Sequence, residues 1–145
     1  MGDHCFSFLE DSYADICNEA MFCEKHLVEG NYSDSIFRAG RSLEIITENI
    51  CEFSDLDYLK REGLYNRLIV LYNEGIIDDN LFEKFRHLRL MRNKIAFYPD
   101  WSKIGENANI AHKYLYEICV YFYKTFHDSN FIAEEYNGPK MTADS

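Results

Sequence analysis

Apolar residues recur every three or four positions along most of the chain, which is the spacing of amphipathic helices. The first such stretch covers residues 8–29 and is followed by Gly30, a residue that often ends helices in the left-handed conformation. Gly40 lies inside the second stretch and predicts close approach of a neighbouring helix there. The four further predicted helices span residues 33–53, 64–74, 80–97 and 107–127.

The connections between these stretches are short, which predicts that successive helices run antiparallel. We therefore expect an all-α fold, an antiparallel bundle of about five helices that forms a single domain over residues 1–130. Residues 131–145 are polar and show no helical periodicity, so we expect a flexible C-terminal tail.

The composition disfavours several classes of function. A net charge of −10 disfavours a protein that coats nucleic acid, because such binding depends on neutralising phosphates, although a local basic site remains open. The five cysteines form no CxxC pair, and no Cys or His pair has the short spacing of a zinc site, so no metal and no cofactor is predicted. With no signal peptide and no apolar run of roughly 18 residues, we expect a cytoplasmic protein that does not bind membranes.

Residues 84–94 depart from the acidic composition, since they hold five of the 15 Lys and Arg residues. On a helix, Arg92 falls on the same buried stripe as Phe85 and Leu88, where an unpaired charge would be costly. Glu44 lies at the edge of the apolar stripe of the second helix, which predicts a structural ion pair between Arg92 and Glu44. The alternative is a site for an anion or a partner formed by Arg38, Arg41, Arg86, Arg89, Arg92 and Lys94.

Two stretches, SIFRAGRSLEIITENICE and LYNRLIVLYNEGIIDDNLFEKFRHLRLMRNKIAF, resemble the HEPN superfamily of small all-helical domains. The likeness covers residues 6–126 and is greatest to a subgroup of unknown function, which also occurs at the N-terminus of helicase-type restriction subunits. In active members, an arginine and a histidine four to six residues later form a metal-independent ribonuclease site, usually across a dimer. The resemblance places Arg92 at the arginine position, Asn93 at the polar position after it, and Phe97 at the histidine position.

Phenylalanine cannot transfer a proton, so this motif is degenerate and no catalytic residue is expected. The resemblance then implies a non-catalytic interaction or regulatory module that forms a homodimer or docks on a protein partner, in a prokaryotic or phage defence or anti-defence system. One alternative is a module that binds RNA or a nucleotide through the arginines named above. A second alternative is a ribonuclease with a relocated general base, for which His112 is the candidate.

Overall fold

The computed structural model describes residues 3–98 and 100–143. These residues contain no β-strand, which confirms the all-α fold class. The α-helices are α1 (Ala14–Val28), α2 (Tyr32–Phe53), α3 (Leu64–Asn73), α4 (Asp79–Phe97) and α5 (Ile104–Phe126), and two 3-10 helices span Ser7–Leu9 and Asp57–Arg61. Residues 1–2, Pro99 and residues 144–145, which belong to the predicted domain and tail, lie outside the described residues. No helix in the described ranges combines the length and the apolar character needed to cross a bilayer.

Helix α2 is the centre of the bundle and contacts all four other α-helices. Its apolar positions follow the three-and-four spacing that predicted it, and they form a stripe without solvent exposure. Burial of each large side chain stabilises the fold by about 1.5–3 kcal/mol, which outweighs the cost of about 1 kcal/mol for a glycine inside the helix. The stripe consists of Ile36, Ala39, Leu43, Ile46 and Ile50.

Local signals explain two of the helix ends. Gly30 follows α1 with a φ of 80°, a value that glycine adopts easily. Asp78 caps α4, because its side chain accepts a hydrogen bond from the backbone N–H three residues later at 2.9 Å. The predicted start of the first helix was wrong: α1 begins at Ala14, since the chain leaves the helical conformation at Tyr13 (φ −136°, ψ 60°).

Residues 131–143, which we call the strap, pack against the bundle instead of forming the flexible tail expected from their polar composition. The backbone N–H groups of Lys140 and Met141 donate to the carboxylate of Glu24 on α1 at 3.0 and 2.9 Å. The carbonyl of Glu134 accepts a hydrogen bond from the hydroxyl of Tyr116 on α5 at 2.6 Å. Composition concealed this packing, because the hydrogen bonds to Glu24 come from the backbone of the strap. The rings of Phe131 and Tyr136 add side-chain contacts with Phe8 and Tyr116.

Candidate functional site

Arg92 crosses the contact between α2 and α4 with its aliphatic stem over Gly40. A Cβ atom at residue 40 would overlap the Cγ and Cδ atoms of Arg92, so glycine leaves the room for this stem. The guanidinium reaches the next turn of α2, where Nη1 lies 3.5 Å from Oε2 of Glu44. It also lies 5.4 Å from the ring centre of Phe37. The structure therefore contains both the close approach at Gly40 and the ion pair between Arg92 and Glu44.

The pair is less buried than the sequence indicated. The side chain of Arg92 is 26% exposed and that of Glu44 is 47% exposed. The stem of Arg92 packs against Gly40 of α2, but the long side chain carries the charge to the edge of the helix pair. The pair thus avoids the desolvation cost of a buried ion pair, and its expected contribution to stability is about 0–1 kcal/mol.

The remaining predicted cations do not form one anion-binding cluster. Arg38 and Arg41 share the carboxylate of Glu19 on α1, at 3.0 and 3.4 Å. Arg86 pairs with Glu83 on its own helix at 3.6 Å. These carboxylates already compensate the positive charges of the three arginines. The ion pairs therefore weigh against a phosphate-binding site formed by the predicted cations.

Arg89 and Lys94 lie over aromatic rings and make no ion pair among the described residues. The guanidinium carbon of Arg89 is 4.9 Å from the ring centre of Tyr65, and the Nζ atom of Lys94 is 3.8 Å from that of Trp101. Lys94 follows Arg92 by two residues, which is about 200° around the helix. Lys94 and Arg92 therefore face different surfaces.

The residue at the histidine position of the degenerate motif is at the surface. Phe97 is 79% exposed and the adjacent Tyr98 is 63% exposed, while Asn93 is also exposed. A phenyl ring can neither accept nor donate a proton, so acid–base catalysis at this position is excluded. Together with Lys94, Asp100 and Trp101, Phe97 and Tyr98 line an open cleft of about 660 Å³.

His112, the candidate for a relocated base, is fully buried and uses both ring nitrogens. Its Nε2 atom is 2.8 Å from Oε1 of Glu24, and its Nδ1 atom is 2.6 Å from the hydroxyl of Tyr136. A general base must come within hydrogen-bond reach of its substrate. The enclosure of His112 therefore weighs against a ribonuclease that uses this residue.

Glu24 is the centre of a buried polar cluster that the sequence did not predict. Its carboxylate accepts four hydrogen bonds, from the backbone N–H of Cys5 (3.1 Å), the His112 ring (2.8 Å) and the backbone N–H groups of Lys140 and Met141 (3.0 and 2.9 Å). Burial raises the pKa of Glu24, but the hydrogen bonds from His112, Met141 and Cys5 outweigh burial and lower this pKa to about 2. The bundle thus holds an ionised carboxylate in its interior.

Two further members of the cluster are held in their protonated forms. Burial raises the pKa of the Cys5 thiol to about 12, and the hydrogen bond to Glu24 and its negative charge act in the same direction. The thiol donates a hydrogen bond to the carbonyl of Gly138 at 3.3 Å. Burial also raises the pKa of the Tyr136 phenol.

One signal in the sequence could have indicated this cluster. Glu24 lies four residues after Ala20 and seven after Cys17, so it falls on the apolar stripe of α1. A carboxylate at such a position requires polar partners in the core. Arg67 was missed in the same way: it is 6% exposed and donates to backbone carbonyls of the preceding 3-10 helix at 3.0 and 2.8 Å.

No protein-family model, no curated protein and no solved structure matches this chain. The resemblance to the HEPN superfamily therefore stays a prediction.

Proposed function

We propose that the protein is a non-catalytic interaction module that pairs with a second copy of itself through the α2–α4 face, defined as Phe37, Arg41, Glu44 and Arg92. The observation that carries the proposal is the environment of Phe37, which is 42% exposed. The guanidinium carbons of Arg41 and Arg92 lie 6.0 and 5.4 Å from its ring centre. Aromatic and arginine side chains are enriched in protein interfaces and dominate their binding energy.

The mixture of charges on the α2–α4 face favours a second copy as the partner. Arg41 is 50% exposed and Glu44 is 47% exposed, so the face presents both signs of charge. A two-fold interface brings the same patch of both subunits together, which allows an arginine of one copy to meet a carboxylate of the other. RNA would be repelled by that carboxylate and by the net charge of −10.

Two further observations support a module without ribonuclease activity. Phe97 occupies the position at which the resembled family has its histidine, and His112 is enclosed by Glu24 and Tyr136. The resemblance supports a role of such a module in prokaryotic or phage defence or anti-defence.

The molar mass in solution tests the pairing. Light scattering coupled to size-exclusion chromatography at micromolar concentration is expected to give a dimer for the wild type and a monomer for Phe37→Ser. The matched control is Phe97→Ser, which removes a ring that is 79% exposed on another surface and is expected to leave the dimer intact. A monomeric wild type contradicts the proposal, and a dimer lost only in Phe97→Ser assigns the interface to a different face.

Labelled RNA tests the absence of catalysis. We expect no cleavage by the wild type or by Arg92→Ala. Cleavage by the wild type that disappears in Arg92→Ala would contradict the non-catalytic assignment, whereas equal cleavage by both proteins would indicate a contaminating nuclease.

A second candidate function is binding of single-stranded RNA or a nucleotide at the end of α4. The observation that favours it is the open cleft in which Lys94 lies over Trp101 beside the exposed rings of Phe97 and Tyr98. Bases stack on aromatic side chains, and a neighbouring cation contacts the phosphates. Fluorescence anisotropy at low salt is expected to detect binding that is weakened by Trp101→Ala and by added salt, and an unchanged signal for labelled RNA would exclude it.

A further inference from the structure

We propose that Cys5, Glu24 and His112 form a binding site for a zinc ion. The three residues come from the N-terminal segment, α1 and α5, and one potential ligand atom of each lies within 4.8 Å of the other two. Glu24 and His112 are fully buried, and Cys5 is 7% exposed. The fold therefore assembles a sulfur, an oxygen and a nitrogen ligand in one place.

The mixture of ligand atoms selects the kind of ion. Thiolate, imidazole and carboxylate groups all bind Zn²⁺, whereas Ca²⁺ and Mg²⁺ prefer oxygen ligands. The charges also balance, because one thiolate and one carboxylate neutralise the two positive charges of the ion. An electrically neutral site suits the interior of the bundle, where an uncompensated charge is costly.

Only small movements are needed for ligation. The Nε2 atom of His112 and Oε1 of Glu24 are 2.8 Å apart, and they would separate to about 3.3 Å, the spacing set by tetrahedral bonds of about 2.0 Å. The Sγ atom of Cys5 already lies within 4.8 Å of both of these ligand atoms, and it would exchange its hydrogen bond to the carbonyl of Gly138, 3.3 Å away, for the bond to the ion.

The surrounding groups already orient two of the ligands. The hydroxyl of Tyr136 is 2.6 Å from Nδ1 of His112, which leaves Nε2 to face the ion. The Oε2 atom of Glu24 is held by the backbone N–H groups of Lys140 and Met141 at 3.0 and 2.9 Å. Oε1 of Glu24 contacts the two other ligand residues, through the His112 ring at 2.8 Å and the backbone N–H of Cys5 at 3.1 Å, so it is the oxygen that would bind the ion.

Ion binding releases one proton and moves another. The thiol of Cys5 loses its proton to solvent and binds as the thiolate. In a neutral His112 ring, the proton leaves Nε2, which binds the ion, and the ring carries a proton on Nδ1 instead. This N–H donates a hydrogen bond to the hydroxyl oxygen of Tyr136. Affinity for zinc is therefore expected to fall as the pH is lowered.

A surface cleft borders the proposed site at Cys5. The cleft has a volume of about 190 Å³, and Cys5 lines it together with His4 and Tyr116. A water molecule from this cleft can serve as the fourth ligand, as in zinc sites with three protein ligands.

Calorimetric titration of the chelator-treated protein with Zn²⁺ tests the site. We expect one ion per chain for the wild type, and an affinity about 10–100-fold lower for Tyr136→Phe, which removes the hydrogen bond that orients His112. Cys5→Ser is expected to bind more weakly still. The matched control is Cys51→Ser, which changes a fully buried cysteine outside the cluster and should bind as the wild type does.

A second measurement needs no variant. Co²⁺ bound to the wild-type protein is expected to show the sulfur-to-metal charge-transfer absorption of a thiolate ligand. The proposal is overturned if the wild type binds no Zn²⁺, if Cys5→Ser with a wild-type circular dichroism spectrum binds Zn²⁺ as tightly as Cys51→Ser, or if the Co²⁺ complex shows no thiolate band.

Discussion

The buried cluster and the α2–α4 face each contain a carboxylate beside a nitrogen-containing side chain, but different groups hold the two carboxylates in place. Glu24 is fully buried and accepts hydrogen bonds from three backbone N–H groups as well as from His112. Glu44 is 47% exposed and lies 3.5 Å from the guanidinium of Arg92. Backbone donors are placed by the fold itself, whereas two exposed side chains lose conformational entropy when they pair.

The difference separates charges that stabilise the chain from charges that remain available to another molecule. The carboxylate of Glu24 has no solvent-facing side, so its interactions act within the fold. The carboxylate of Glu44 retains contact with water and can be contacted by a second subunit. Arg67 belongs to the first kind, since it is 6% exposed and donates to the carbonyls of Leu59 and Lys60.

Removal of the buried carboxylate should have the largest effect on stability. Glu24→Ala leaves the His112 ring and three backbone N–H groups without their acceptor, and we expect the free energy of unfolding to fall by about 3–5 kcal/mol. Urea denaturation measures this change. Glu44→Ala is the matched control on the α2–α4 face and should cost about 0–1 kcal/mol. Equal losses in the two variants would contradict the distinction between the regions.

Removal of the strap should have the next largest effect. A chain that ends at Asn130 loses two charge-assisted hydrogen bonds to Glu24, at about 1.5 kcal/mol each, together with the contacts of Tyr136 with His112 and of Glu134 with Tyr116, so we expect a loss of at least about 3 kcal/mol in urea denaturation. Lys140→Ala is the control, because it keeps the backbone N–H that contacts Glu24. A comparable loss in Lys140→Ala would show that the side chains of the strap, and not its backbone, hold it in place.

Stability at high pH extends the comparison to Tyr121, whose hydroxyl is also hydrogen-bonded to the backbone. The hydroxyl of Tyr121 donates to the carbonyl of Ile76 at 2.7 Å, and burial, followed by the charge of Asp78, raises the pKa of Tyr121 from 10.0 to about 12. The unfolded chain therefore loses this proton first, and the stabilisation present below pH 10 is lost as the pH rises towards 12.

Chemical denaturation across this pH range measures the loss. Tyr121→Phe should show a smaller decrease in stability between pH 10 and pH 12 than the wild type. An identical decrease in both proteins would mean that Tyr121 is not the group responsible.

Loss of the partly exposed cation of Arg92 should have the smallest effect. Arg92→Ala removes the ion pair with Glu44, and we expect the free energy of unfolding to fall by about 0–1 kcal/mol, an effect that shrinks further in high salt. Thermal unfolding at two salt concentrations measures both quantities. A loss of several kcal/mol would place Arg92 among the charges that hold the fold together.

The helices and the partner of Arg92 were predictable because both depend on local spacing. Residues 33–53 were predicted as a helix, and α2 spans Tyr32–Phe53. Helical phase placed Arg92 on the buried stripe of its helix, and the position of Glu44 at the edge of the apolar stripe of the second helix made Glu44 the candidate partner; the two side chains are 3.5 Å apart. The start of α1 was missed because apolar residues continue at similar spacing through the 3-10 helix Ser7–Leu9.

The buried cluster could not be assembled from local spacing. Cys5 and His112 lie 19 and 88 residues from Glu24 along the chain, and periodicity does not reveal which helices meet. The strap escaped prediction for a different reason. Its contacts to Glu24 use backbone N–H groups, which every residue except proline possesses, so the sequence carries no specific mark of them.

The position of the strap also has a consequence for the order of folding. Its N–H groups at Lys140 and Met141 are 116 and 117 residues from Glu24, so the contact closes a long loop and is slow to form. Helix α1 is synthesised well before these partners exist, and its carboxylate must stay hydrated until they arrive. We therefore expect docking of the strap to be a late step, in which a bundle that already has its helices expels the water around Glu24.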